Sequence, residues 1–271
     1  MKILQRKKFN MIKEEPVLLI TASILPQEKN YIKLRNAKQR LEQYINSIKF
    51  YIKHTKIKKI VFCDNSNYRF DTKEIFLLAE KYEKTVEIIH FLGDCEKIAE
   101  RGKGYGEGEI IKYALKNSNL LEKAYAFIKV TGRIKILNID DIKNSININK
   151  IYFNKSIIEY QAIDTVIFCM PKREYAKYFM NVYKKVYDKR GIYIEHVIAN
   201  TILRNRIKYY NIPFYPVIKG IRGTTKTPYQ QNMELEKKVY QGLSRFNLFN
   251  VNWIYPIIFS LYDEKSRKGG K

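Results

Sequence analysis

The chain has 271 residues, 45% hydrophobic and 29% charged, a balance that supports one sizeable core and excludes a disordered or fibrous chain. Its 51 Lys and Arg outnumber 27 Asp and Glu, a formal charge of +24 that favours an anionic partner: nucleic acid, a phosphorylated substrate or an anionic membrane surface. No uncharged apolar run reaches about 18 residues, so no bilayer-spanning helix is expected, and Glu14, Glu15 and Pro16 break the basic-then-apolar start, so no signal peptide is expected either.

The basic residues are spread along the chain, so charge alone does not choose among those partners. Cys63, Cys95 and Cys169 are odd in number and widely spaced, which fits neither a disulfide framework nor a metal knuckle. They are expected to be buried thiols in a reducing compartment.

After Pro16, residues 17–23 (VLLITAS) form a short apolar run and predict a buried strand. Residues 31–54 carry Ile32, Leu34, Leu41, Ile45, Ile48 and Ile52 at roughly helical spacing. A second strand, residues 59–63, ends in the turn-forming string Asp64, Asn65, Ser66, Asn67. A helix over 73–84 and a third strand over 86–92 follow, then a glycine-dense turn, a helix over 107–116 and a fourth strand over 126–130. This alternation has the spacing of βα units and predicts an α/β fold: a mostly parallel sheet with helices on both faces. Ligands of such sheets bind beyond the carboxyl ends of the strands. That rule sets Thr21 and Ser23, Asp64, Gly93 and Asp94, and Thr131, Gly132 and Arg133 along one rim.

The second half alternates less regularly. Residues 152–153 and 166–170 read as strands, 172–187 as a helix rich in Tyr and Phe, 192–203 as a helix, and 215–218 as a short strand. No internal repeat or low-complexity linker appears, so one domain is expected over 1–230, with a C-terminal helical, basic and amphipathic extension over 231–271. Within it, residues 247–262 either pack on the core or touch a membrane, with Trp253 and Tyr255 near headgroups and lysines on anionic lipid.

Several groups of residues could carry chemistry. Gly102, Gly104, Gly106 and Gly108, with Arg101 and Lys103 among them, precede a helix whose free N–H groups could meet a phosphate. The spacing is neither the dinucleotide fingerprint nor a P-loop, and a plain loop is the other reading. Residues 219–226 (KGIRGTTK) bring Arg222, Thr224 and Lys226 together with two glycines and suit a diphosphate without metal; an ordinary basic turn fits too. Asp64 either accepts hydrogen bonds from ribose or base, or only closes an Asx-type turn. Glu195, beside His196 in an apolar segment, has the surroundings that raise a carboxylate pKa and suit a general base; a structural carboxylate on an amphipathic helix is the bland reading. With three scattered histidines, and Asp140–Asp141 reading as a helix cap, no catalytic metal site is expected.

Taken together, residues 16–230 resemble a GT-A-type bacterial glycosyltransferase of surface polysaccharide assembly, capsule or lipopolysaccharide. The likeness rests on element order: LLITAS ending the first strand, Asp64 after the second, GKGYGEGEIIKYAL opening the helix before the fourth, and Glu195 later in the chain. It implies a nucleotide sugar held by Thr21, Ser23, Asp64, Lys103, Gly104, Arg133, Arg222, Thr224 and Lys226. It implies transfer to a glycan or lipid-linked acceptor, with Glu195 or Asp164 as the base. It further implies a cytoplasmic protein, peripheral on the inner membrane, with no nucleic-acid partner. The family's Asp-x-Asp, which holds a divalent cation at the end of the fourth strand, is absent: FIKVTGR offers Lys129 and Arg133 instead. No cofactor or divalent metal is therefore expected, and Arg133, Arg222 and Lys226 would stabilise the leaving diphosphate. Two other readings stand beside this one, a sugar nucleotidyltransferase and a basic nucleic-acid-binding protein without catalysis. The first lacks the glycine-rich basic loop after the first strand, and the second has no helix-turn-helix, zinc-finger or RNP-like string.

Overall fold

A computed structural model describes residues 15–26, 36–157, 162–221 and 234–247. Four apolar strands come first: β1 (Val17–Ala22), β2 (Lys59–Asp64), β3 (Thr85–His90) and β4 (Ala126–Thr131). Every residue of β1 is buried, as continuous apolar runs must be when helices cover both sheet faces. Helix α1 (Ala37–His54) joins β1 to β2; Asn36 caps it by accepting the Gln39 N–H, and Tyr44, Ile48, Tyr51 and Ile52 are its buried stripe. Helix α2 (Lys73–Lys81) joins β2 to β3, and α3 (Cys95–Arg101), α4 (Lys103–Asn117) and α5 (Asn119–Glu122) lead to β4.

Shorter pieces follow: β5 (Lys135–Ile136), α6 (Ile139–Ser145), β6 (Tyr152–Phe153), β7 (Ser156–Ile157), β8 (Ala162–Ile163) and β9 (Ile167–Pro171). Then come α7 (Lys172–Tyr178), two 3-10 turns (Val182–Lys185 and Asp188–Arg190), α8 (Ile194–Arg204), β10 (Tyr210–Asn211), β11 (Ile218–Lys219) and α9 (Glu234–Arg245). The main sheet has seven strands in the order β10-β6-β9-β4-β1-β2-β3. β4, β1, β2 and β3 are mutually parallel, and β9 runs against both β4 and β6. The sheet is thus mostly parallel, as expected. Two ladders, β5–β11 and β7–β8, stand apart from it.

Strand alternation divides the core in two. Val17, Leu19, Val61 and Phe127 face α4 and α8, whereas Leu18, Ile20, Phe62, Ile128 and Val130 face α1, α2 and α6. Each Leu or Ile buried this fully contributes about 1.5–3 kcal/mol. The same alternation sends Lys129 to the α4–α8 side with Phe127, a lysine with no exposed surface.

The structure departs from the sequence reading at three places. The glycine-dense segment is no turn: α4 begins at Lys103 and runs through Gly104, Gly106 and Gly108. Tertiary packing overrides glycine's poor helix propensity here, because a Cβ on Gly108 would lie 2.1 Å from Cβ of Tyr183. Secondly, α7 stops at Tyr178 rather than near 187, and the chain turns so that Tyr183 and Val186 pack on α4. Thirdly, the strand expected over 215–218 is only the two residues of β11, while β10 carried no clear sequence signal.

Among the described residues no helix is long and apolar enough to cross a membrane. Of the segment 247–262 only Asn247 is described; its side chain accepts the Asn211 N–H and donates to the Tyr209 carbonyl, tying the end of α9 to β10. The remainder, Trp253 and Tyr255 included, lies outside the described residues. The cysteines are free thiols: Cys63 and Cys169 are buried as expected, and Cys95 is half-buried.

Candidate active site

Strand order reverses between β1 and β4, and parallel sheets place their ligands beyond the strand ends at such a switch point. Thr21 and Thr131 face each other there in register. Thr21 is buried, and its hydroxyl lies 3.4 Å from the Val130 carbonyl. The Ser23 N–H donates to the Tyr44 hydroxyl (3.0 Å), and its carbonyl accepts from Arg40 Nε (2.9 Å), so α1 holds the backbone at the exit of β1.

Gly132 follows Thr131 because nothing larger fits. A Cβ there would sit 2.2 Å from the Thr21 carbonyl oxygen and 2.7 Å from the Tyr44 ring. Arg133 is half-buried and donates from Nη1 to Gln43 Oε1 at 3.0 Å. A hydroxyl, a glycine and a guanidinium at this strand end do not fit a divalent cation, which takes anionic or carbonyl oxygens. Among the described residues, no three His, Cys, Asp or Glu side chains stand together as a ligand set.

Asp64, at the end of β2, has no exposed surface. Its carboxylate accepts from the N–H groups of Ile24 (2.8 Å), Ser66 (3.2 Å) and Tyr68 (3.2 Å) and from the Ser66 hydroxyl (2.9 Å), with His90 Nδ1 at 3.6 Å. The Asx-type turn of the sequence reading is formed. The reason is burial: a desolvated carboxylate must collect donors, and the loops after β1 and β2 supply them.

Gly104 likewise has a partner within the fold. Gly102, at φ 104°, turns the chain between α3 and α4, and the Gly104 N–H donates to Asp188 Oδ2 at 3.0 Å. A protein carboxylate thus meets the N-terminus of α4. Lys103 stays exposed beside it.

The fuller chemistry lies under β4. The Lys129 ammonium pairs with Glu107 of α4 and donates to Thr131 Oγ1 (3.2 Å) and the Thr165 carbonyl (2.8 Å). The Thr165 hydroxyl in turn donates to Glu195 Oε1 (3.1 Å) at the start of α8. Glu195 is half-buried, and burial first, then the Glu107 charge, push its pKa above the ordinary carboxylate value; Lys103 and the Thr165 hydrogen bond oppose them. His196 has a structural duty: Nδ1 accepts the Tyr193 N–H at 3.2 Å, half of a capping box on α8.

Asp164 stands apart from this network. It accepts from Asn154 Nδ2 (2.7 Å) and the Val166 N–H (2.8 Å) and orders the turn into β9. Arg222, Thr224 and Lys226 lie outside the described residues. Lys129, expected to offer charge at the strand end, instead pairs with Glu107 inside the fold. Sequence reasoning gave Glu107 and Thr165 no role. The available signal was the lone lysine in AFIKVT, since a charge at a buried strand position demands a partner.

No family model matches the chain, and neither does any curated protein. Among solved structures it is similar to the bifunctional glycosyltransferase WbbM, at 9% identity and a TM-score of 0.45 over 88% of this chain and 45% of that one. It is similar to the glycosyltransferase GlyE of Streptococcus pneumoniae TIGR4, at 7% identity and 0.45 over 73% of this chain and 45% of that one. The mannosyltransferase Ktr4p of S. cerevisiae follows, at 9% identity and 0.35 over 70% of this chain and 65% of that one. The chain thus spans less than half the length of the first two. Likeness at this level assigns no chemistry to this chain.

Proposed function

We propose that this chain is a glycosyltransferase that moves a sugar from a nucleotide-activated donor to a cell-surface glycan or glycolipid acceptor at the cytoplasmic face of a membrane. The observation that carries the proposal is Glu195. It is a carboxylate of raised pKa, at a helix N-terminus, linked through Thr165 and Lys129 to the end of β4, where strand order reverses. Further support is the sequence resemblance over residues 16–230.

In this reading the acceptor hydroxyl gives its proton to Glu195 while its oxygen bonds to the anomeric carbon of the donor. The bond from that carbon to the diphosphate oxygen breaks, and the electron pair leaves with the nucleotide diphosphate. Hydroxyls are poor nucleophiles at neutral pH, so a base of raised affinity for protons is what the step needs. The Lys129–Glu107 pair acts indirectly: Glu107 keeps the Glu195 pKa up, and Lys129 fixes Thr165, whose hydroxyl orients Glu195. Arg133, with Arg222 and Lys226, would meet the diphosphate charge in place of a cation.

Thermal denaturation with millimolar uridine, cytidine or guanosine diphosphate tests the reading. A ligand at about a hundredfold over its Kd stabilises the folded state by about 2.7 kcal/mol, a clear rise in Tm. If none of the diphosphates or their sugar conjugates raises Tm, the transferase reading falls.

A further inference from the structure

On the opposite face of the sheet from Glu195, α1 and β5 enclose an open pocket of about 210 Å³ lined by Asn46, Lys49, Phe50, Lys53, His54 and Lys135. That is several times the ~30 Å³ share of one liquid water. The α1 residues stand at i, i+3, i+4, i+7 and i+8, so one helical face presents them all. Phe50 is half-buried and forms an aromatic wall: His54 stacks on it with centroids 5.6 Å apart, and the Lys135 ammonium lies 5.8 Å from its centroid. Lys135 pairs in register with Lys219 of β11, setting two ammonium groups across one ladder.

The end of α1 accounts for part of this cluster, because cations suit a helix C-terminus, where Lys53 and His54 stand. It does not account for Lys135 and Lys219, since like charges directly opposite on antiparallel strands destabilise the pair. Lys49 has a carboxylate partner, Glu74 at 2.6 Å. Among the described residues neither Lys53, Lys135 nor Lys219 makes an ion pair. Burial, and then Lys219, lower the Lys135 pKa, so holding its proton there is costly without an anion.

We propose that this pocket binds a phosphate group, carried by a small soluble molecule or by a lipid headgroup, with Lys53 and Lys135 as its cations, Asn46 as an amide donor and Phe50 against the carbon framework. The site lies across the sheet from Glu195, and its argument uses neither Glu195 nor the transferase reading.

Two probes distinguish the sources on the full chain: inorganic pyrophosphate by isothermal titration, and flotation with phosphatidylcholine vesicles with and without phosphatidylglycerol. Wild type is expected to bind one of them. The double variant Lys53→Gln/Lys135→Gln is expected to lose about tenfold in affinity for it, as when charge-assisted hydrogen bonds are removed. Lys53→Glu, at an exposed position, reproduces the loss if the double variant folds poorly, and Lys123→Gln, an exposed lysine elsewhere, leaves binding unchanged. Loss confined to pyrophosphate assigns a soluble ligand; loss confined to vesicles assigns a headgroup. The proposal is overturned if wild type binds neither probe. It is equally overturned if the pocket variants bind like wild type, or if Lys123→Gln loses as much as they do.

Discussion

Two carboxylates on the same rim live in opposite circumstances. On the β2 side, Asp64 has no exposed surface and is saturated, with three backbone N–H groups and a hydroxyl aimed at it. On the β9 side, Glu195 is half-buried, has one side-chain donor in Thr165, and shares its surroundings with the like charge of Glu107. Saturation spends a carboxylate on loop geometry. Scarcity of donors leaves a carboxylate that gains from taking a proton. Chain position alone would rank the two acids equally as site residues. Their donor inventories separate a residue that shapes the loops of the rim from one able to work there.

The largest expected effect tests the Glu195 half of that contrast. Glu195→Gln keeps shape and hydrogen bonding but removes the base, so turnover should fall by about a hundredfold or more with nucleotide binding nearly unchanged. The same change should stabilise the fold at neutral pH. A carboxylate whose folded pKa is raised contributes stability that is complete below its unfolded pKa and lost as pH rises through the folded value. A permanently neutral Gln escapes that loss, so Tm should rise above this window and stay level below it. Near-normal turnover in the variant would remove Glu195 as the base.

Asp64→Asn tests the other half and should act on stability. It turns an amide –NH₂ toward groups that donate, and about 2–3 kcal/mol should be lost in urea denaturation, the cost of buried unmatched donors. A variant of normal stability that no longer binds nucleotide would break the comparison and restore Asp64 to the ligand. The smallest expected effect concerns the strand end between the two acids, where Thr131, Gly132 and Arg133 offer no carboxylate. Turnover in EDTA should stay within about a few-fold of its untreated value. Full loss, restored by manganese or magnesium, would return a cation to the mechanism.

Much of the frame was legible before folding. The strands β1 to β4 and helices α1, α2 and α8 lie close to where apolar periodicity set them, because alternation and 3.6-residue spacing are local properties of the chain. The short second-half pieces were not legible, since a two-residue strand such as β10 exists only through its partner Phe153–Tyr152 on β6. The same division runs through the site. The sequence alone determined that a carboxylate opens an apolar helix at Glu195, that a lysine interrupts an apolar strand at Lys129, and that no acidic pair ends β4. Only the tertiary structure decided that Gly104 and Gly108 lie inside a helix that packs closely on Asp188 and Tyr183, and that Asp64 is consumed by loops. It also decided that Lys129, Glu107, Thr165 and Glu195 form one network. Burial, desolvation and hydrogen-bond supply belong to neighbours brought from distant parts of the chain, and no local pattern of residues records them.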